Sequence, residues 1–206
     1  MYKILFIHGL ASSGSYKMAD MLRPAGVVAP DLPIDPDRAL SALTDIYSTE
    51  KPDLVVGLSW GGFLALRLNA ERTVVINPDL DISVLLRQHI GPMEYLSPRH
   101  NGERSFLITE EICRKYEALE TSAINPDRAV LGCFGEQDTL VHCADKFESI
   151  FPGRAFRYPG GSVPSRPISR SGPTSLFPIS CLVRGIGVSL SSASGTDCWK
   201  CCRTEA

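Results

Sequence analysis

The sequence predicts a three-layer α/β domain built on a mainly parallel sheet, and three observations carry that expectation. Short apolar runs rich in β-branched residues recur along the chain, among them Lys3-Ile4-Leu5-Phe6-Ile7 and Thr73-Val74-Val75-Ile76. Continuous runs of that length suit strands buried on both faces. Stretches of helical character separate them, and alternation of strand and helix is the signature of a parallel sheet covered on both sides. The third observation is Gly57-Leu58-Ser59-Trp60-Gly61, set between the apolar run Asp53-Leu54-Val55-Val56 and a helical run from Gly62 to Leu68.

Taken in order, the first strand leads into His8-Gly9-Leu10-Ala11-Ser12-Ser13-Gly14-Ser15, and a helix is expected from about Ser15 to Leu22. Val27-Val28-Ala29 reads as a short strand, and Pro30 and Pro33 make the segment after it irregular. Asp35 or Asp37 caps a helix through about Tyr47. Thr73-Val74-Val75-Ile76 is a strand closed by Asn77-Pro78. Between Asp79 and Tyr116 no strong strand is expected, while 81–86 and 110–119 look helical. This insertion, about 79–120, should lie near the serine as a small lid. A strand follows at 128–134, a helix at 141–150, and a last strand at 154–158 that ends in Pro159-Gly160-Gly161.

A G-x-S-x-G turn between a strand and a helix lifts a serine hydroxyl above the sheet as a nucleophile. Gly57 and Gly61 remove Cβ atoms that so tight a turn would crowd. The turn also aims the N–H of Trp60 at the same reacting atom. The glycine-rich turn after the first strand can direct the N–H of Leu10 inward as the second half of an oxyanion hole. A plain glycine loop entering a helix is the other reading of that turn. Asp138, in Gly135-Glu136-Gln137-Asp138, falls just past a strand end and before a helix, where a sheet enzyme places the acid that orients its base. Capping that helix is the other role the position suits, and the two are compatible. Glu136 is the second candidate acid.

The histidines are four: His8, His89, His100 and His142. His8, at a strand end, is expected to shape its loop through backbone hydrogen bonds rather than act as a base. His89 and His100 are expected at the surface. His142 is close in sequence to Asp138, one turn along the following helix, and would have to point back over the sheet to reach it.

A chain of 206 residues suits one domain with room for a tail, and it can bury a real core. A net charge of −2 gives no reason to expect a nucleic-acid partner. No run approaches the ~20 apolar residues of a membrane span. The first seven residues are too short for a signal peptide, which favours a cytoplasmic location. Cys113, Cys133 and Cys143 are then expected as reduced thiols. Cys198-x-x-Cys201 has half the spacing of a zinc site but no second pair and no nearby histidine, so neither metal nor cofactor is expected.

Phe6-Ile7-His8-Gly9, Ala29-Pro30-Asp31-Leu32, Gly57-Leu58-Ser59-Trp60-Gly61-Gly62, Ile76-Asn77-Pro78, Gly135-Glu136-Gln137-Asp138 and Tyr158-Pro159-Gly160-Gly161 together resemble the α/β-hydrolase superfamily, and within it the YqiA/YcfP-like small esterases. The resemblance covers 1–161. It implies a serine hydrolase of the carboxylesterase type, acting on small acyl esters through a Ser–Asp–His triad under a short lid. By position it assigns Ser59 as nucleophile, Asp138 as acid, and the N–H groups of Leu10 and Trp60 as oxyanion hole, with His8, Gly9, Gly57 and Gly61 as motif support. In that family a histidine follows the Gly-Gly turn and a last helix packs on the sheet. Here position 162 is serine and no histidine occurs after His142. Ten serines fall in the last 45 residues against 11 in the first 161, and prolines recur at 164, 167, 173 and 178. The shift at 162 is read as that of a chain out of its proper frame or across a wrong exon boundary, with an engineered or natural tail as the alternative. Residues 162–206 are therefore expected to be irregular and not to complete the core. Activity of the chain as written should be weak or absent. A non-catalytic ligand-binding module on the same scaffold, and an acyltransferase or thioesterase, are the alternatives. The sequence gives no reading of oligomeric state.

Overall fold

The β-branched runs become the strands of one sheet. The computed structural model describes residues 2–15, 17–22 and 26–161. All of them belong to the unit Met1–Val163, and the expectations for 162–206, with Cys198 and Cys201, lie outside the described residues. The elements run β1 (Ile4–Ile7), α1 (Lys17–Leu22), β2 (Val27–Val28), α2 (Pro36–Glu50), β3 (Leu54–Leu58), α3 (Trp60–Arg67), β4 (Arg72–Ile76), α4 (Ile82–Arg87), β5 (Gly91–Glu94), β6 (Ser105–Ile108), α5 (Glu110–Glu120), β7 (Ala129–Gly135), α6 (Ala144–Ile150) and β8 (Ala155–Tyr158).

Six strands form one parallel sheet in the order β2-β1-β3-β4-β7-β8. The register sets Ile7 beside Gly57, Leu58 beside Ile76, and Ile76 beside Cys133. The carboxyl ends of β1, β3, β4 and β7 therefore share one edge. The chain leaves β1 toward β2 and then crosses back to β3, so the strand order reverses between β1 and β3. Open α/β sheets bind ligands in the crevice at such a reversal. Crossovers between parallel strands are right-handed, so α1, made while moving one way, covers the opposite face from α2 and α3, made while moving the other.

β1 and β3 are buried at every position, and Phe63, Leu64, Ala65 and Leu66 of α3 are buried against them. Asp35 caps α2 as expected, its carboxylate accepting from the N–H groups of Asp37 and Arg38. That helix runs on to Glu50, where Lys51 closes it in a left-handed conformation (φ 47°). Cys113, Cys133 and Cys143 are free and buried.

Two expectations need correction. The segment 79–120 contains, besides helices α4 and α5, an antiparallel pair, β5 with β6. Each strand is only four residues long and half exposed, so neither stands out in the sequence. The pairing is held by docking instead: Met93 and Phe106 pack on the core, Tyr95 and Phe106 rings meet at 4.7 Å, and Leu96 N–H donates to Ala11 O at 2.7 Å. The last helix begins at Ala144 rather than Val141. Asp138 folds the preceding residues into a turn by accepting the N–H groups of Leu140 and Val141, which removes them from the helix.

Candidate active site

β3 ends at Leu58, and the chain turns into α3 within one residue. Ser59 makes that turn with φ 52° and ψ −117°, a conformation that costs a non-glycine residue on the order of 1–3 kcal/mol. Its neighbours hold it there. Ser59 N–H donates to Ile76 O at 2.9 Å, and Ser59 O accepts from Phe63 N–H at 3.1 Å and Asp79 N–H at 3.3 Å. Ser59 occupies the N-cap position of α3 but makes no side-chain cap bond, so its hydroxyl is not spent on the helix.

The flanking glycines are required by close approach. A Cβ on Gly57 would lie 2.4 Å from Gly61 O, and one on Gly61 would lie 2.2 Å from Ile7 O and 2.4 Å from His8 O. The start of α3 thus rests directly on the backbone of β1. A Cβ on Gly9 would sit 3.8 Å from Ser59 Cβ, so the turn after β1 passes beside the serine. In that turn Ser12 N–H bonds back to Gly9 O and Ala11 takes φ 56°. No hydrogen-bond acceptor for the N–H of Leu10 or of Trp60 is found among the described residues.

His8 is almost fully buried and both of its ring nitrogens are engaged. Nε2 accepts Leu32 N–H at 3.2 Å, so Nδ1 carries the proton and donates to Gly9 O at 2.8 Å. Burial depresses its pKa to about 4, which keeps the ring neutral. It fixes the loop, as the sequence suggests, and has no nitrogen left to act as a base. Its ring lies 5.6 Å from that of Trp60. Trp60 Nε1 in turn donates to Tyr116 Oη at 2.7 Å, and Tyr116 Oη donates to Ile34 O at 2.9 Å. These bonds tie the start of α3 to the insertion and to the segment before α2. A small cleft of about 10 Å³, open to solvent, lies here, with Leu10, Trp60, Ile34, Tyr95 and Phe106 in its walls.

Asp138 follows β7 at the same edge of the sheet. Neighbouring strands are ~4.8 Å apart, so β3 and β7, two steps apart, are separated by roughly 10 Å. Asp138 is 4% exposed, whereas Glu136 is exposed. One carboxylate oxygen, Oδ1, accepts the N–H groups of Leu140 at 2.8 Å and Val141 at 3.1 Å. The other, Oδ2, is buried with no hydrogen-bond partner among the described residues. Asp138 does not cap α6, whose N-cap is Cys143. His142 lies in the loop before α6 rather than on the helix, and is exposed. His89, in the turn just past α4, is exposed and bonds through Nδ1 to Leu85 O of that helix.

Two residues to which the sequence reading gave no role stand out. Asn77, at the end of β4 between the serine and the acid, has φ 40°. Its Oδ1 accepts Gly135 N–H at 2.8 Å and its Nδ2 donates to Tyr158 Oη at 3.3 Å, which joins the ends of three strands. Asp31 accepts Gly14 N–H at 2.8 Å and His100 N–H at 2.6 Å, which joins the turn after β1 to the insertion. Both sit in segments that carry the resemblance, but only the fold shows what they join.

A strained serine at the sheet reversal, with unpaired backbone N–H groups beside it, belongs to a recognisable class of α/β domain. The model of the alpha/beta hydrolase family matches residues 4–173, and the chain belongs to that family. Solved structures are similar to it at low identity. One is the monoacylglycerol lipase of Paleococcus ferrophilus, at 16% identity over 77% of this chain and 84% of that one, with a TM-score of 0.54. A putative hydrolase from Agrobacterium vitis S4 aligns at 18% identity over 80% and 82%, with a TM-score of 0.55. The esterase domain of a Rhodothermus marinus protein aligns at 17% over 79% and 77%, with a TM-score of 0.54. At these identities the likeness is one of fold. No curated protein matches the chain.

Proposed function

We propose that this protein is a serine hydrolase of the carboxylesterase type, with Ser59 as nucleophile and Asp138 as the acid of the triad. The observation that carries the proposal is the positive-φ backbone of Ser59, held by three backbone hydrogen bonds and flanked by Gly57 and Gly61, whose added Cβ atoms would collide with the backbone of α3 and of β1 respectively. Strain of this kind persists where the surrounding structure over-determines it, and it concentrates at reacting residues. Ser59 Oγ would attack the acyl carbon of an ester, and the N–H groups of Leu10 and Trp60 would receive the oxyanion. A base must take the serine proton during that attack. Asp138 Oδ2, buried and unpaired among the described residues, is the natural acceptor for the second nitrogen of such a base. The walls of the small cleft beside Trp60 are apolar, which favours an acyl group over a charged one, and the resemblance to YqiA/YcfP-like small esterases points to small acyl esters. An acyltransferase or thioesterase would use the same groups.

A second reading, a ligand-binding module without catalysis, is favoured by one fact: no histidine follows His142. We further propose that 162–206 is a segment out of frame or from a wrong exon, and that the domain proper is 1–161. Grafting a segment with histidine just after Gly161 and an amphipathic helix tests both proposals. The graft should raise hydrolysis of a short-chain nitrophenyl ester ~10²–10⁴-fold, the contribution of a general base. Ser59→Ala should abolish the gain, and a fluorophosphonate should label Ser59 in the grafted chain. A grafted chain no faster than the present one would leave the non-catalytic reading standing.

A further inference from the structure

The polar groups at the junction of the first turn and the insertion are arranged in a definite order. Ser15 Oγ lies 3.1 Å from His100 Nε2, and His100 Nδ1 lies 3.0 Å from Asp31 Oδ2. The three residues come from three separate segments: the end of the turn after β1, the loop after β2, and the connection between β5 and β6.

The protons in this chain of contacts can be assigned by elimination. The Asp31 side chain is 9% exposed. Burial alone would raise its pKa, but hydrogen bonds from Gly14 and His100 outweigh that and leave the carboxyl below the ordinary range. It is therefore an ionised acceptor, and His100 Nδ1 must be the donor to it. In neutral imidazole the other nitrogen is then an acceptor, so Ser15 Oγ–H donates to Nε2. The hydroxyl, imidazole and carboxylate follow the order nucleophile, base, orienting acid.

A serine touching a histidine on a surface is ordinary. Two features separate this one. The carboxylate is fixed from both sides, Oδ1 by Gly14 N–H at 2.8 Å and Oδ2 by the backbone N–H of His100 itself at 2.6 Å. The same oxygen thus holds both the backbone and the ring of His100, which sets the imidazole before any substrate arrives. Ser15 is exposed and the His100 side chain is 64% exposed, so an acyl donor can reach the hydroxyl. We propose that Ser15 is a second activated hydroxyl, served by His100 as base and Asp31 as orienting acid, and that it accepts acyl groups from activated esters as a site of covalent modification.

The step balances without a co-reactant. Ser15 Oγ bonds to the acyl carbon as the ester C–O bond breaks. The serine proton passes to His100 Nε2 and on to the departing alkoxide or phenoxide, giving acyl-serine and free alcohol. The N–H groups of Gly14 and Ser15 are already bonded, to Asp31 Oδ1 and Ser13 Oγ, so neither is free to receive an oxyanion, and the acyl group is expected to remain on Ser15 rather than turn over.

The test uses the full chain carrying Ser59→Ala, treated with p-nitrophenyl acetate and mapped by peptide mass spectrometry. Acetylation should appear on Ser15, and His100→Gln should slow it ~10²–10⁴-fold, the range for loss of a general base. With His100→Gly in its place, free imidazole in solution should restore the rate, a rescue that a merely structural role would not show. Absence of acetyl-Ser15 in the Ser59→Ala chain overturns the proposal. So does a rate unchanged by His100→Gln, because a bare surface hydroxyl would then account for the reaction.

Discussion

Gly61→Ala isolates the contact on which the nucleophile turn depends. The added Cβ would lie 2.2 Å from Ile7 O and 2.4 Å from His8 O, both backbone atoms. Reaching an ordinary 3.4 Å from Ile7 O requires a shift of about 1.2 Å between α3 and β1. β1 is fully buried, so neither partner can yield into solvent. Alanine gains ~1 kcal/mol over glycine in a helix. Overpacking a rigid interior costs ~1–3 kcal/mol and occasionally more, and backbone against backbone belongs at the upper end. The net loss should be about 2 kcal/mol, a fall in Tm of roughly 4–8 °C for a chain of this size. Gly9→Ala is the matched control, because its Cβ would meet Leu58 O at 3.6 Å and Ser59 Cβ at 3.8 Å, both ordinary contacts. It should change stability by less than ~0.5 kcal/mol. Thermal unfolding followed by circular dichroism reads both variants. If Gly61→Ala melts within about a degree of the parent, or Gly9→Ala falls as far, the contact is not what holds the turn.

Ser59→Gly should stabilise the fold by about 1 kcal/mol, since strain of ~1–3 kcal/mol is relieved against ~0.5–1 kcal/mol of extra chain entropy; a destabilised variant on urea titration would show that Ser59 is not strained. Stability should also fall with acid through His8. Its folded pKa of about 4 lies below the ordinary 6.5, so the unfolded chain binds the proton more readily between those values. The contribution is fully present above pH 6.5 and declines as pH falls toward 4, a loss on the order of 3 kcal/mol. In His8→Gln that portion of the pH dependence of urea unfolding should be missing, and a parent-like slope in the variant would remove His8 as its source.

The central strands were legible because they are buried on both faces and read as apolar runs rich in β-branched residues, as Ile4–Ile7 and Arg72–Ile76 do. The pair β5 and β6 was not, because Gly91-Pro92-Met93-Glu94 carries no strand signal of its own and is ordered by a partner and by contacts such as Leu96 to Ala11. The start of α6 was misjudged for a related reason. A side chain, Asp138, competes with the helix for the N–H groups of Leu140 and Val141, and propensity does not record such competition. Ser59 could be found from a local pattern, since the turn it occupies needs fixed glycines within two residues. Asn77 and Asp31 could not be given roles that way, because each joins segments far apart in sequence.

The two groups assigned to the triad differ in how they are held, and the difference bears on what the site is for. Ser59 is held in a costly conformation by backbone hydrogen bonds to the end of β4, to α3 and to Asp79. Asp138 is held by one oxygen, while its other oxygen is buried without a partner among the described residues. A buried carboxylate oxygen left unpaired is itself destabilising, by about 1–3 kcal/mol or more for a charged group. Helix capping would account for Oδ1 but gives no reason to bury Oδ2, and α6 is not capped by Asp138 in any case. A cap-only role predicts an exposed second oxygen, as caps at helix ends on the surface have. An orienting acid predicts one oxygen fixed by the chain and the other kept for a base, which accords with an Oδ1 bonded to Leu140 and Val141 and an Oδ2 buried without a partner among the described residues. The strain at Ser59 and the unpaired oxygen at Asp138 among the described residues are two separate departures from a merely stable domain, and the proposed roles of nucleophile and acid would account for both.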